Sequence, residues 1–396
     1  MDGLMMDTPL SLIHVFDRAT RLFADKEVVT ATPTGRERVS YAEWGERTRR
    51  LGGVLDDLGI SEDGRVATFS WNTARHLELY FAPPCTGRVS HTLNLRLFPE
   101  QLSYIVNHAE DEVIFLDHSV AGLIWPLMGG FQTVRHVVLM DDGAPAPDPD
   151  AIGQEVHDYE DLLGAASPVD WTRVEENRAG SMMYTSGTTG NPKGVVYSHR
   201  SMVLHTFGAM MADTLGINER DVILPVVPMF HANAWGLAHA GVATGATLIM
   251  PGADLSAASL ADLIEQLAPQ TGSASGRGSG RPVFLVNGRR VSGFREFRRY
   301  PPEAIVKVEV FPEEVALQYG YPADQRVVNF ILKDNFASRE VELEYGQPTA
   351  GGRSSGEAEY SQLTINGGDR LLLGAEFNTS SMLTEAERGI IQTENS

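Results

Sequence analysis

Cysteine and long apolar runs are scarce in this sequence, and each absence excludes a class of protein. The chain of 396 residues has one cysteine, Cys85, so it cannot form an internal disulfide and does not depend on an oxidising compartment. No stretch reaches the length of about 18 apolar residues that a membrane-spanning helix needs. The N-terminus has no basic segment and carries Asp2 and Asp7, which is not typical of a secretory signal. We therefore expect a cytoplasmic protein with no convincing membrane insertion.

Positive charge is also in short supply. The 32 Lys and Arg residues are outnumbered by 52 Asp and Glu residues, and the formal net charge is −20. A nucleic-acid backbone or an anionic membrane surface would repel such a chain. We therefore expect no nucleic-acid partner.

Residues 1–255 follow the pattern of an α/β protein. Ser40 and Glu43 form a predicted capping box at the start of a helix, and buried strands are predicted at 66–71, 112–117 and 136–141. Strands that alternate with helices imply parallel sheets that are covered by helices on both faces. The fold class predicted for this part is therefore α/β, with parallel sheets flanked by helices.

The pattern changes in the last third of the chain. Residues 256–280 contain an ambiguous helix and a Gly/Ser-rich linker, and we expect proteolysis to cut first at 269–280, which has almost nothing apolar to bury. Short strands follow over 281–338, and 339–396 alternates apolar and polar residues with the period of a β-strand. This pattern predicts a mainly antiparallel β C-terminal part.

The stretch YTSGTTGNPKG at 184–194 carries the strongest chemical signal. Apolar strands are predicted on both sides of it, and its glycines allow backbone amides to converge on an anion. Its hydroxyl and ammonium groups suit the β- and γ-phosphates of a nucleotide, although its spacing differs from that of a Walker loop. The alternative is a flexible surface loop rich in small residues. The predicted phosphate-binding residues are Thr185, Ser186, Gly187, Thr188, Thr189, Gly190 and Lys193.

This motif resembles the signature of the adenylate-forming superfamily, and residues 5–265 resemble its fatty-acyl-CoA ligases in particular. The segments that carry this resemblance are YAEWGERTRRLGGVLDDLGI, HTLNLRLFPEQLSYIVNHAED and VPMFHANAWGLA. The resemblance implies a truncated adenylate-forming fold. It also implies a reaction in which ATP and a fatty-acid carboxylate form an acyl-adenylate, from which coenzyme A takes the acyl group. The implied cofactors are ATP with Mg²⁺ and coenzyme A.

The last of these segments implies a substrate pocket. By resemblance, His231 borders the adenylate and the acyl group, Asn233 lines the same pocket, and Trp235 gates the acyl tunnel. The alternatives are an ordinary interior histidine for His231 and a core-packing residue for Trp235. The sequence assigns no catalytic residue.

The histidine spacing gives no sign of a metal site. His199 and His205 are separated by a spacing that fits no helical pair of ligands, and no carboxylate partner stands out. We therefore predict no metal site built by the protein itself, and we expect Mg²⁺ to be held chiefly by the phosphates of ATP.

Several parts of the superfamily's active site are not found in this sequence. We find no G-[YF]-G-x-T-E segment for adenine and magnesium, no T-G-D segment for the ribose, and no small domain with the adenylation lysine. Adenylyl transfer depends on the positioning and charge neutralisation that such parts supply. We therefore expect an inactive ligase, with a pseudo-enzyme that binds a nucleotide or an acyl chain as an alternative.

Residues from about 270 to 396 resemble a different family. The segments VFLVNGRRV, IVKVEVFPEEVALQYG and RVVNFILK resemble the plug of TonB-dependent outer-membrane receptors, and the strands after residue 339 resemble its first barrel strands. An unrelated β-rich domain is the alternative. The resemblance implies a chimera whose two parts join between about 255 and 268, and it makes a receptor fragment the alternative function.

Overall fold

The computed structural model describes residues 5, 7–185, 191–256, 259–264, 283–290, 302–311, 327–346, 355–367 and 369–380. The chain divides into two compact units, Met1–Asp254 and Leu255–Ser396, and each has its own sheets. The linker predicted at 269–280 lies outside the described residues. No helix within the described ranges is long and apolar enough to cross a membrane.

The first unit alternates helices with strands over most of its length. Its α-helices are α1 Leu12–Leu22, α2 Tyr41–Asp57, α3 Ala74–Leu79, α4 Ala82–Cys85, α5 Pro99–Ala109, α6 Ala121–Ile124, α7 Tyr159–Ala165, α8 His199–Met210 and α9 Leu237–Thr244. Its strands are β1 Glu27–Thr32, β2 Gly35–Ser40, β3 Arg65–Phe69, β4 Val89–Thr92, β5 Asp111–Asp117, β6 His136–Met140, β7 Glu155–Asp158, β8 Ala179–Thr185, β9 Lys193–Ser198, β10 Val222–Ile223 and β11 Thr247–Met250.

The main sheet of this unit has seven strands in the order β7-β6-β5-β3-β4-β8-β9. All neighbours from β7 to β8 pair in parallel, and β9 returns antiparallel to β8 at the edge. Parallel strands need crossovers, and the intervening helices provide them on both faces. The predicted α/β fold class is therefore confirmed.

A second, smaller sheet joins the two ends of the unit. Its order is β10-β11-β1-β2, and β1 pairs in parallel with β11, so that Val28 lies opposite Leu248. Strand β2 turns back antiparallel to β1. The apolar residues of α1 pack beneath this sheet, where Phe16 and Trp44 form part of a core cluster with ring centroids 5.2 Å apart.

Helix α2 illustrates how well local signals predict local structure. The Ser40 hydroxyl accepts the Glu43 N–H at 3.1 Å, and the Glu43 carboxylate accepts the Ser40 N–H at 2.9 Å, which completes the predicted capping box. The Ser40 N–H and the Ser40 hydroxyl both donate to the Glu43 carboxylate, and these two hydrogen bonds lower the pKa of Glu43. The buried face of α2 includes Leu51, Val54 and Leu55, as the spacing predicts.

The second unit is built mainly from antiparallel β-structure. Its strands are β12 Val283–Val286, β13 Arg289–Arg290, β14 Ile305–Phe311, β15 Val327–Leu332, β16 Asn335–Gly346, β17 Ser355–Asn366 and β18 Asp369–Ser380. They form a four-stranded sheet, β13-β12-β15-β14, and a three-stranded meander, β16-β17-β18. The prediction of a mainly antiparallel part is confirmed, although β12 and β15 pair in parallel.

Two features of the second unit bear on its sequence pattern. Residues 259–264 are helical, and Ala261 packs in one core cluster with Phe330 and Leu363, so this ambiguous segment belongs with the β-strands. Leu371 and Phe377 of β18 are 52% and 68% exposed. One face of the meander is therefore apolar and open, because the alternation places its apolar side chains away from the core.

Candidate functional site

The predicted phosphate-binding stretch is a hairpin connection at the carboxyl edge of the main sheet. Strand β8 runs parallel to β4 and ends at Thr185, and β9 begins at Lys193, directly opposite Thr185. The Thr185 hydroxyl donates to the Lys193 carbonyl at 3.4 Å, and both side chains are exposed. Ser186, Gly187, Thr188, Thr189 and Gly190 lie outside the described residues. In open α/β sheets, ligands bind at this carboxyl edge.

Tyr184 anchors the base of the hairpin. Its hydroxyl is hydrogen-bonded to Nδ1 of His108 at 2.7 Å, and burial raises its pKa to about 12. The ring packs against a core cluster that includes Phe69, Leu93 and Phe230. The start of the hairpin connection is therefore held by the core.

A second segment, residues 225–231, is fixed at the same edge by Asn72. The Asn72 amide donates to the carbonyls of Pro225 at 2.8 Å and Val227 at 3.0 Å, and its carbonyl accepts the Met229 N–H at 2.7 Å. The buried Tyr80 hydroxyl also donates to the Met229 carbonyl. Asn72 follows β3, which is separated from β8 by β4 alone, so the carboxyl ends of β3 and β8 lie roughly 10 Å apart.

Two of the three predicted pocket residues, Asn233 and Trp235, lie in an unusual turn. Residues Ala232–Gly236 all have positive φ, from +47° at Ala232 to +75° at Gly236, which makes one left-handed turn. Asn233 is buried, and its side-chain carbonyl has no hydrogen-bond partner among the described residues. Left-handed geometry is unfavourable for residues other than glycine, and such strain clusters at functional sites.

Unlike Asn233, the predicted pocket residues His231 and Trp235 have exposed side chains. His231 is exposed, and Trp235 is 52% exposed, so neither is an interior residue. The alternatives of an ordinary interior histidine for His231 and of a core-packing residue for Trp235 are therefore wrong. His231 is the last residue of the segment that Asn72 holds and directly precedes the left-handed turn, and Trp235 is the fourth residue of that turn.

His199, in contrast, has a structural role. Its Nδ1 accepts the backbone N–H of Leu12 at 3.2 Å, which ties the start of α1 to the start of α8. Burial lowers the pKa of His199 to about 4. The ring is therefore neutral at ordinary pH, as an acceptor nitrogen must be.

Sequence reasoning missed a buried carboxyl group at this edge. Asp117 is the last residue of β5, and one of its oxygens accepts the Ser70 hydroxyl at 2.7 Å and the Trp71 N–H at 2.8 Å. Burial raises the pKa of Asp117 to about 7. Asp117 and Asn72 share a signal that could have identified them, because each is a polar residue at the end of an apolar strand.

Comparison with known proteins adds a family relationship to this geometry. A family model described as AMP-binding enzyme matches residues 16–277. The match contains the hairpin connection, Asn72, and the left-handed turn, so every part of the site described above lies inside it.

Two curated relatives have clear sequence similarity to the same region. The 3-methylmercaptopropionyl-CoA ligase of Ruegeria pomeroyi is 44% identical over 267 residues, which cover 67% of this chain and 49% of the relative. The long-chain-fatty-acid–CoA ligase of Thermus thermophilus is 47% identical over 263 residues, which cover 66% of this chain and 47% of the relative. The chain spans about half the length of the curated relatives it matches.

A solved structure extends the likeness at the level of the fold. The long-chain-fatty-acid-CoA ligase FadD1 from Archaeoglobus fulgidus has a TM-score of 0.59 at 18% identity, and the alignment covers 90% of this chain and 75% of that one. An alignment of this extent passes residue 277. The comparisons do not support the receptor resemblance of residues 270–396, nor a chimera of two families.

Proposed function

Because the chain belongs to the AMP-binding enzyme family, we propose that residues 1–255 bind ATP with Mg²⁺ and a fatty-acid carboxylate, as the acyl-adenylate-forming half of an acyl-CoA ligase. The observation that carries this proposal is the β8–β9 hairpin, which presents Lys193 and Thr185 at the carboxyl edge of a parallel sheet. Such an edge is where α/β folds bind nucleotides. We propose the cytoplasm as the compartment of this function, as the sequence predicts.

The proposed nucleotide contacts follow from the chemistry of the hairpin. The Lys193 ammonium is exposed and would pair with the triphosphate, and the Thr185 hydroxyl would donate to a phosphate oxygen. The connection between them, Ser186–Gly190, would contribute backbone amides and further hydroxyls. Mg²⁺ would arrive on the phosphates and neutralise part of their charge. The net charge of the chain is −20, which repels the phosphates of ATP, so the positive charge of Lys193 is needed to hold them.

The proposed acyl pocket consists of the left-handed turn Ala232–Gly236 and of His231, which directly precedes it. Asn233 offers a buried carbonyl that lacks a partner in the described structure, and His231 and Trp235 are open to a ligand. A pocket of this kind combines an apolar surface with a few fixed polar groups. Asn72 contributes indirectly, because it holds the segment that leads into the turn.

We also propose that the 396-residue chain does not complete the reaction. Residues 278–396 contain neither the G-[YF]-G-x-T-E nor the T-G-D segment. Without them, adenine and ribose lack the contacts that align the α-phosphate with the carboxylate. Given ATP, a fatty acid and coenzyme A, the chain should release no pyrophosphate above background.

Calorimetric titration with Mg²⁺–ATP tests the proposal. The wild type should bind, and Lys193→Gln should bind about 10-fold more weakly or worse, since a charge-assisted hydrogen bond contributes about 1.5–3 kcal/mol. The matched control is Lys26→Gln, which removes an exposed lysine that bonds to Glu219 and should leave the affinity unchanged.

Three outcomes decide between the alternatives. ATP binding without pyrophosphate release supports an inactive ligase that still binds a nucleotide. This outcome also agrees with the alternative of a nucleotide-binding pseudo-enzyme. Turnover close to that of an intact acyl-CoA ligase would refute the proposed inactivity. An absence of ATP binding in a folded wild-type chain would refute the nucleotide site itself.

A further inference from the structure

A cluster of three potential metal ligands lies at the amino ends of β6 and β7, on the side of the main sheet opposite its carboxyl edge. His136 is the first residue of β6, and Glu155 is the first residue of β7. The two strands pair in parallel, with His136 opposite Glu155 and Val138 opposite His157. Residues in register and two apart along a strand share one face of a sheet, so the three side chains converge.

The distances between the ligand atoms suit a single small cation. His136 Nδ1 lies 3.2 Å from His157 Nε2 and 3.3 Å from Glu155 Oε2, and His157 Nε2 lies 3.9 Å from Glu155 Oε2. A tetrahedral Zn²⁺ with bonds of about 2.0–2.1 Å separates its ligands by about 3.3–3.4 Å. Two of the three distances already match this value.

The donor set indicates the class of metal. Two imidazole nitrogens and one carboxylate oxygen form a His₂Glu set, which binds Zn²⁺ and its neighbours in the transition series rather than Ca²⁺ or Mg²⁺. The His136 and His157 side chains are 12% and 22% exposed, whereas Glu155 is 74% exposed. The imidazoles are therefore held by their surroundings, and a cation can enter past the carboxylate.

We propose that His136, Glu155 and His157 bind a divalent transition-metal ion of the Zn²⁺ class, with water in the remaining position. The site lies at the amino ends of β6 and β7, away from the carboxyl edge where the nucleotide is proposed to bind. Its role is to join β7, the edge strand, to β6. The two imidazoles share a hydrogen bond, and the Glu155 carboxylate lies beside the His136 ring.

Linear spacing could not have revealed this site. His136 and Glu155 belong to different strands, and they meet only because β6 and β7 are neighbours in register. The prediction of no metal site built by the protein considered only His199 and His205. Across the described part of the chain, this is the one group of three such side chains with ligand atoms within 4.8 Å of one another.

Titration of the tag-free full chain with Zn²⁺, and with Co²⁺ as a spectroscopic probe, tests the proposal. One Zn²⁺ per chain should bind with micromolar or tighter affinity and raise the midpoint of thermal unfolding, because the metal binds only the folded state. Bound Co²⁺ should give the intense visible absorption of a tetrahedral nitrogen and oxygen site. EDTA should reverse both effects.

The variants separate this site from adventitious binding. His136→Gln and His157→Gln should each weaken Zn²⁺ binding by at least the roughly 10–100-fold that loss of an outer-shell partner costs, and Glu155→Gln by a smaller factor. The control is His14→Gln, which removes a histidine on α1 that contacts the Pro9 carbonyl and should leave binding unchanged. Circular dichroism checks that each variant is folded. Wild-type Zn²⁺ affinity in folded His136→Gln, or no binding to the wild type, would overturn the proposal.

Discussion

The side-chain carbonyl of Asn72 accepts the backbone N–H of Met229 at 2.7 Å, across 157 residues of sequence. The amide group of Asn72 simultaneously donates to two carbonyls of the same segment, those of Pro225 and Val227. One buried side chain therefore satisfies three backbone groups that would otherwise lose their hydrogen bonds.

We predict that Asn72→Ala lowers the free energy of unfolding by about 2–4 kcal/mol, since each lost hydrogen bond contributes about 1 kcal/mol and leaves a buried backbone group unsatisfied. Urea denaturation gives the value. Asn94→Ala is the control. The side-chain carbonyl of Asn94 accepts the Arg96 N–H in an exposed turn, and the loss of this hydrogen bond should cost much less. Equal effects of the two substitutions would contradict the role assigned to Asn72.

Asp117 makes stability depend on pH. Its pKa is raised from 3.8 to about 7 by burial, so between these values the folded protein keeps a proton that the unfolded chain has released. Raising the pH through this window therefore removes stability, by about 1.4 kcal/mol per unit and up to about 4 kcal/mol in all. Asp117→Asn keeps an acceptor oxygen for Ser70 and Trp71 and cannot ionise.

The measurement is urea denaturation at a series of pH values from about 4 to 9, which spans both the unfolded and the folded pKa of Asp117. The variant should become more stable relative to the wild type as the pH rises, and the difference should level off above the folded pKa. Asp57→Asn, which changes an exposed carboxylate on α2, should show no such trend. A parallel pair of curves for Asp117→Asn and wild type would refute the prediction.

Because the left-handed turn contains residues other than glycine at positive φ, we predict that a glycine introduced there stabilises the protein. Ala232 is exposed and has φ +47°, so Ala232→Gly removes backbone strain without removing a buried methyl group. We expect a gain of about 0.5–1 kcal/mol after the entropic cost of glycine is included. Ala42→Gly, at an exposed position in α2, should instead lose about 0.5–1 kcal/mol. Chemical denaturation of both variants should therefore give shifts of opposite sign.

Gly245, which ends α9, is expected to tolerate no side chain. It has φ +72°, and a Cβ there would lie 2.2 Å from Cγ of Phe23. Gly245→Ala should therefore lower the free energy of unfolding by several kcal/mol. About 3 kcal/mol of this loss should come from the clash with Phe23, in addition to the backbone strain of an alanine at positive φ. Gly216→Ala supplies that comparison, because Gly216 has φ +63° and its nearest neighbour to a new Cβ lies at 3.9 Å. Similar losses in thermal unfolding for both variants would show that Phe23 moves aside freely.

Local signals predicted local structure well, whereas contacts between distant segments were not predictable. The capping box of Ser40 and Glu43 and the strands on both sides of residues 186–190 depend on neighbours in sequence, so their patterns are sufficient. The Asn72 contacts and the pairing of His136 with Glu155 depend on the order of strands in a sheet. No period or spacing states that order, because it is decided by packing over the whole unit.

The position of β11 has a consequence for how the protein is made. This strand lies between β10 and β1. The small sheet therefore lacks one of its two central strands until residues 247–250 have left the ribosome. Until then Val28 and Val29, which are fully buried in the finished unit, lack their parallel partners Leu248 and Ile249. Contacts of such long sequence separation form slowly and leave strand edges open to other chains. Synthesis of the middle of the chain is therefore the stage at which a chaperone would matter most, and a pause in translation after residues 247–250 have left the ribosome would favour correct folding.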